Sequence, residues 1–317
     1  MPPTSSNLAP LICFLFAVGV SSPAQVSSKT TAVSPAAAEH AASLAESGRC
    51  PEALPQLAKS AAHITDKSLQ KRVGLAGVRC ASLLQQEETL LQFVEVLSRQ
   101  FPRDPEVLYV LTHAFSDLST HAAQELAMSA PTSIPALEMD ADTNEQQGKW
   151  DQAEKDYRTI LEQNPRYPGI HFRLARLLLS KPSPPPDFAE QAKTELQQEL
   201  EIDPSNAGAE YVLGELARQV ADYPSAIQHF SKATQLETNF ADAYLGLGMS
   251  FLAEKKFTEA VAPLEKAVKF QPANPAGHYG LATAYAHTGR KEDADREFAL
   301  QQQTADRAAG QGAQKPQ

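Results

Sequence analysis

Residues 241–274 read ADAYLGLGMSFLAEKKFTEAVAPLEKAVKFQPAN. Tyr244, Leu247, Gly248 and Phe251 stand at aromatic-x2-Leu-Gly-x2-aromatic spacing, which puts Leu247 and Gly248 together on a first helix. Ala260 and Ala267 lie seven residues apart, two turns along one face of a second helix. Gly248 has no side chain, so the second helix can come close to it. The small alanines allow the same approach from the other side, and Tyr244 and Phe251 fill the gaps between neighbouring pairs. Pro272 ends the second helix, because it lacks an N–H and restricts the residue before it.

One such pair leaves apolar faces open on both sides, so similar neighbours are expected. From Pro275 the pattern recurs as His278, Leu281, Ala282, Tyr285, Gly289, Ala294 and Phe298. From Ala207 it recurs as Leu213, Gly214, Ala217, Ala226, Phe230 and Ala233. In that copy Glu210 replaces the first aromatic, which Tyr211 beside it partly offsets, and Thr238 replaces the terminal proline. Three consecutive copies of a 34-residue, two-helix unit resemble the tetratricopeptide repeat. The resemblance implies an all-α fold, a right-handed α-solenoid of stacked antiparallel helix pairs, and a binding role without catalysis.

The chain has a formal net charge of −10 and a pI near 5.3. Without a basic stripe, this argues against nucleic acid as the partner. Leu11 to Val20 is an apolar run followed by Ser21, Ser22, Pro23 and Ala24. It suits a secretory signal over residues 1–24, although the segment before it has no Lys or Arg. The run is short for a membrane span, which needs about 20 residues. Cys13 within it makes a poor lipoprotein acceptor. The expectation is an exported chain, periplasmic or extracellular, with the signal cut or kept as an anchor and no membrane-spanning segment in the mature part. Residues 25–35 read as a flexible leader.

Residues 36–104 read as two degenerate helix pairs, with Gly48 at the first turn and Gly74, Gly77, Leu83, Leu90 and Leu97 at helical spacing in the second. Cys50 opens the second helix of the first pair and Cys80 comes late in the next helix. In tetratricopeptide packing these helices are neighbours, so the two cysteines are either a disulfide of an oxidising compartment or two small buried thiols.

The solenoid proper is expected over 105–309. Residues 105–131 read as a third pair, with Leu108, Leu111 and Phe115 on its first helix and Ala122, Ala123 and Leu126 on a short second one. In 134–167, Gly148, Trp150, Ala153, Tyr157 and Pro165 match the pattern, whereas Asp140 and Asn144 replace a Leu and an aromatic. Residues 168–206 form a stretched copy in which Ser180 to Asp187 separate the helices. Consecutive prolines there favour an extended, stiff connection, and Asp187 suits a helix N-cap. Residues 310–317 read as a disordered tail.

No metal-binding His or Cys motif, phosphate loop or nucleophile elbow occurs, so no cofactor or metal is expected. His171 and His278 occupy the first large position of their repeats, where packing accounts for them. The resemblance implies binding in a concave groove formed by the first helices. Transferred by register, the groove candidates are Tyr109 and His113, Phe172 and Arg176, Tyr211, Glu215 and Arg218, and Tyr279. The same aromatics can alternatively serve packing between neighbouring helices. An extended peptide or an amphipathic helix suits such a groove. The Lys and Asn positions of the family's carboxylate clamp are not filled that way here. The expected function is a protein-interaction scaffold of the cell envelope, with an accessory subunit of an envelope assembly, polysaccharide or export machine as the alternative.

Overall fold

The computed structural model describes residues 34–184 and 186–312. The expected signal, the leader up to residue 33, Pro185 in the proline-rich connection and residues 313–317 of the expected tail lie outside the described residues. The described residues are helical throughout their regular structure, and the chain divides into two units, Met1–Ala122 and Ala123–Gln317.

In the first unit α1 (Pro35–Glu46) pairs with α2 (Cys50–Ser60), and α3 (Lys67–Leu83) with α4 (Glu87–Gln100). Cys50 and Cys80 are joined by a disulfide that ties α2 to α3, with Cα atoms 5.0 Å apart. Both cysteines are buried. The next helix, α5 (Pro105–Ser129), begins in this unit and sends Val107, Leu111 and Ala114 into the same core as Phe93 and Leu97.

Helix α5 corrects the expected third pair, since residues 105–129 form one unbroken helix. The physical reason lies in its turn chemistry. Most pairs turn through one residue at positive φ: Gly48, Gln85, Gly148, Ala221, Lys255 or Gly289. The following N–H then reaches back to close the helix end, as from Lys256 to the Phe251 carbonyl at 2.8 Å and from Asp222 to Ala217 at 2.9 Å. Between Phe115 and Ala122 stand Ser, Asp, Leu, Ser, Thr and His, with no Gly or Pro and no left-handed residue. Nothing there stops the helix.

The second unit stacks five pairs. These are α6 (Ile134–Gln146) with α7 (Trp150–Gln163), α8 (Ile170–Ser180) with α9 (Phe188–Ile202), α10 (Ala207–Gln219) with α11 (Tyr223–Leu236), α12 (Ala241–Ala253) with α13 (Phe257–Phe270), and α14 (Pro275–His287) with α15 (Lys291–Gly312). In α6, Asp140 is exposed, and Asn144 replaces an aromatic contact with a hydrogen bond to Asp156 of α7 at 2.9 Å. Asp187 stands at the N-cap of α9 but accepts from the Gln191 side chain, not from a backbone N–H. Helix α15 continues to Gly312, so residues 310–312 of the expected disordered tail are helical. No helix among the described residues is long and apolar enough to cross a membrane.

A large side chain from each of two second helices sits between two glycines. A methyl group on Gly214 of α10 would stand 2.7 Å from the Phe230 ring, and one on Gly246 of α12 would stand 2.6 Å from it. One repeat on, a methyl on Gly248 would stand 2.4 Å from Leu264, and one on Gly280 of α14 would stand 2.9 Å from it. Phe230 and Leu264 are fully buried, so neither can swing away into solvent. Gly248→Ala is therefore expected to destabilise the fold by about 1–3 kcal/mol through overpacking, measured as a lower urea midpoint with unchanged helicity.

Candidate functional site

On α8, α10, α12 and α14, the residue after the first large buried position faces outward. His171, Glu210, Tyr244 and His278 are buried, and Phe172, Tyr211, Leu245 and Tyr279 follow them. Tyr211, Glu215, Arg218, Asp242, Leu245 and Met249 line a shallow cleft of about 290 Å³. Arg218 donates to Glu215 at 2.7 Å. The Tyr211 ring leans on Phe240 and Phe230, with centroids 4.9 and 5.8 Å away. Burial, with Glu215 and Asp242 nearby, pushes the Tyr211 hydroxyl up to about 12.

The structure thus gathers three candidates, Tyr211, Glu215 and Arg218, into one cleft. Phe172 and Arg176 lie one repeat earlier. Phe172 packs at Gly208, where a methyl would stand 2.9 Å from its ring. The Arg176 guanidinium is 6.0 Å from the centre of that ring and exposed. Tyr279 lies one repeat beyond Leu245, half exposed and edge-on to Phe298. Tyr109 and His113 belong to the first unit, where their rings meet edge-on at 4.7 Å and line another cleft with Arg79, Leu83 and Asp117. Asp242, Leu245 and Met249 were missing from the sequence-based set. The signal for Leu245 was available, because it stands 34 residues after Tyr211 and 34 before Tyr279.

The buried histidines are structural locks. His171 Nδ1 lies 2.6 Å from Glu195 of α9, and its Nε2 lies 3.0 Å from the Pro165 carbonyl. His278 repeats this arrangement with Glu297 of α15 and the Pro272 carbonyl, at the same two distances. In the repeat that follows His171's, the pair is reversed: Glu210 on the first helix meets His229 on the second at 2.7 Å, with Lys232 also on its carboxylate. Glu199, also buried, accepts the Gly169 and Phe172 N–H groups at 3.0 and 3.3 Å and caps α8 from α9. The Tyr157 hydroxyl donates to Glu145 at 2.5 Å, and burial together with that carboxylate drives it far above the usual tyrosine range. These polar groups hold helices to helices.

Two tetratricopeptide repeat models match the sequence, one over residues 140–207 and 211–275, the other over 251–315. Among solved structures, a crystal structure of MamA aligns with a TM-score of 0.48 and 22% identity, over 54% of this chain and 96% of that one. YrrB, described as a TPR protein with an unusual peptide-binding site, aligns with a TM-score of 0.49 and 16% identity, over 58% and 92%. PilF of Pseudomonas aeruginosa aligns with a TM-score of 0.46 and 22% identity, over 54% and 76%. None of the curated proteins matches the sequence.

Two outcomes follow from the polar groups. Burial, with the Glu265 hydrogen bond, pushes Tyr285 up to about 12, as burial does Tyr211. A free tyrosine ionises near pH 10, so the unfolded state gives up these protons first. Stability from this source is full below about pH 10 and falls as pH rises toward 12. Urea midpoints taken across that range should show the fall, and Tyr211→Phe should make it shallower. In the reversed pair, Glu210→His and His229→Glu should each cost about 1–3 kcal/mol, while the double swap recovers at least half of the summed loss in equilibrium unfolding.

Proposed function

Because the chain belongs to the tetratricopeptide repeat family, we propose that it is a non-enzymatic scaffold that binds a peptide or helix of a protein partner on the first-helix face of its second unit. The observation that carries this reading is the register-matched row Phe172, Tyr211, Leu245 and Tyr279, opening at Tyr211 into a cleft edged by Glu215 and Arg218. Aromatic side chains and arginine combine apolar area with hydrogen-bonding groups, which suits recognition of a peptide. Arg176 adds an exposed cation that makes no ion pair among the described residues. The face is preformed, so little ordering cost falls on the protein side of binding.

The place of action in this reading is the cell envelope. The apolar run at Leu11 to Val20 supports export, and the Cys50–Cys80 disulfide supports an oxidising compartment. The acidic balance of −10 favours a protein partner over nucleic acid.

The test is capture from envelope extract by the wild-type chain and by a variant carrying Arg176→Glu and Arg218→Glu, both exposed side chains. The expected result is a partner held by the wild type and lost by the variant at equal helicity. A partner retained by both would move the site off this face, and capture of nothing specific would count against scaffolding.

A further inference from the structure

The rings of His171 and His278 are each held between two acceptors. Nδ1 of His171 lies 2.6 Å from a Glu195 carboxylate oxygen, and Nε2 lies 3.0 Å from the Pro165 carbonyl oxygen. His278 stands at the same two distances from Glu297 and the Pro272 carbonyl. A carbonyl oxygen accepts and never donates, so Nε2 must carry a proton. The contact at Nδ1 needs a second proton, on the ring nitrogen or on the carboxyl group. Each lock therefore holds two protons, whereas the same two groups free in water hold one above about pH 6.5.

We propose that these two locks make the second unit pH-responsive: folding takes up one proton from solvent at each, and the attachment of α8 and α14 loosens as pH rises. The proton sits on the ring. A carboxyl group is the stronger acid by about two pH units, and the Glu195 and Glu297 side chains keep 16% and 17% of their surface in water. Without that proton a ring lone pair is set against an oxygen, at one contact or the other. The ring side chains are only 10% and 4% exposed, so an acceptor is left unpaired in the interior.

The carbonyls belong to the prolines just after α7 and α13. One proton thus holds a first helix both to its own second helix and to the end of the preceding repeat. The charged groups around His171 are Glu195 and Glu199 of α9 and, on α7, Arg158, 3.8 Å from Glu195. Arg158 is itself paired with Glu154, which also takes Lys181. Around His278 the charged group is Glu297 of α15, with no second ion-pair partner among the described residues. The reversed pair makes no such demand. His229 meets Glu210 through Nδ1, its side chain is 30% exposed, and among the described residues no carbonyl stands against its Nε2.

Two measurements test this. Histidine-labelled NMR of the full chain at about pH 7.5 should show both ring nitrogens of His171 and of His278 as N–H. In urea unfolding between about pH 6.5 and 8.5, the folding equilibrium constant should fall by up to about tenfold per pH unit for each lock. Glu195→Gln with Glu297→Gln should flatten that slope at unchanged helicity. The amide N–H donates to Nδ1, so each ring then needs only its Nε2 proton. A single protonated nitrogen on either ring, or equal slopes in the wild type and the double variant, would overturn the proposal.

Discussion

The distance between helices is the constraint on which the second unit depends, and one large side chain held between two glycines sets it. Phe230 fills the space left by Gly214 of its own pair and Gly246 of the next, and Leu264 does the same between Gly248 and Gly280. Each contact acts twice, closing one pair and docking the following one. From Tyr211 to Leu245 to Tyr279 the spacing is 34 residues, and from Phe172 to Tyr211 the longer connection adds five without shifting the helical position, so the first helices come into register. Side chains at one repeat position then share one face. The row Phe172, Tyr211, Leu245 and Tyr279 is a consequence of that packing, with no separate device to align it.

The first unit solves the same problem with less material. Methyl groups on Gly77 and Gly74 would stand 2.3 Å from Phe93 and 2.6 Å from Leu97, so the glycine-under-large contact is present in a sequence with little of the aromatic signature. The Cys50–Cys80 bond adds a covalent tie between the first pair and the second. A short stack buries a smaller share of its apolar surface than a long one. A cross-link that restricts the unfolded chain has the largest proportional effect there.

The second unit was legible in the sequence because its determinants are small and aromatic residues at fixed spacing. The first unit was legible as helices and as a choice for its cysteines. The third pair was misread because helical periodicity reports which face is apolar, not whether the chain turns. The turn signal lies in single residues at positive φ, and three of these are Gln85, Ala221 and Lys255, which no composition rule marks. The extension of α15 beyond residue 309 was missed for a related reason: glycine weakens a helix without forbidding it. At the site, attention to tyrosine and arginine found Tyr211, Glu215 and Arg218, which share a cleft, and passed over Leu245 and Met249, which complete it. The His–Glu locks were illegible because their partners sit 19 or 24 residues away on another helix.

Those locks explain how the fold and its outward face are kept apart. The first large position of the repeat holds His171, Glu210, Tyr244 or His278, residues with little in common chemically. Each is accommodated because another helix supplies its complement: a carboxylate for each histidine, a histidine and a lysine for the glutamate, and Lys266 for the tyrosine hydroxyl. Helix-to-helix attachment is thus settled one residue before the row that faces outward. The row itself is relieved of most of that task, so Phe172, Tyr211, Leu245 and Tyr279 can differ from repeat to repeat without changing how the helices meet. Tyr211 leans on Phe230 and Phe240, and Phe172 packs at Gly208, so at these two members a change in recognition and a change in packing cannot be separated.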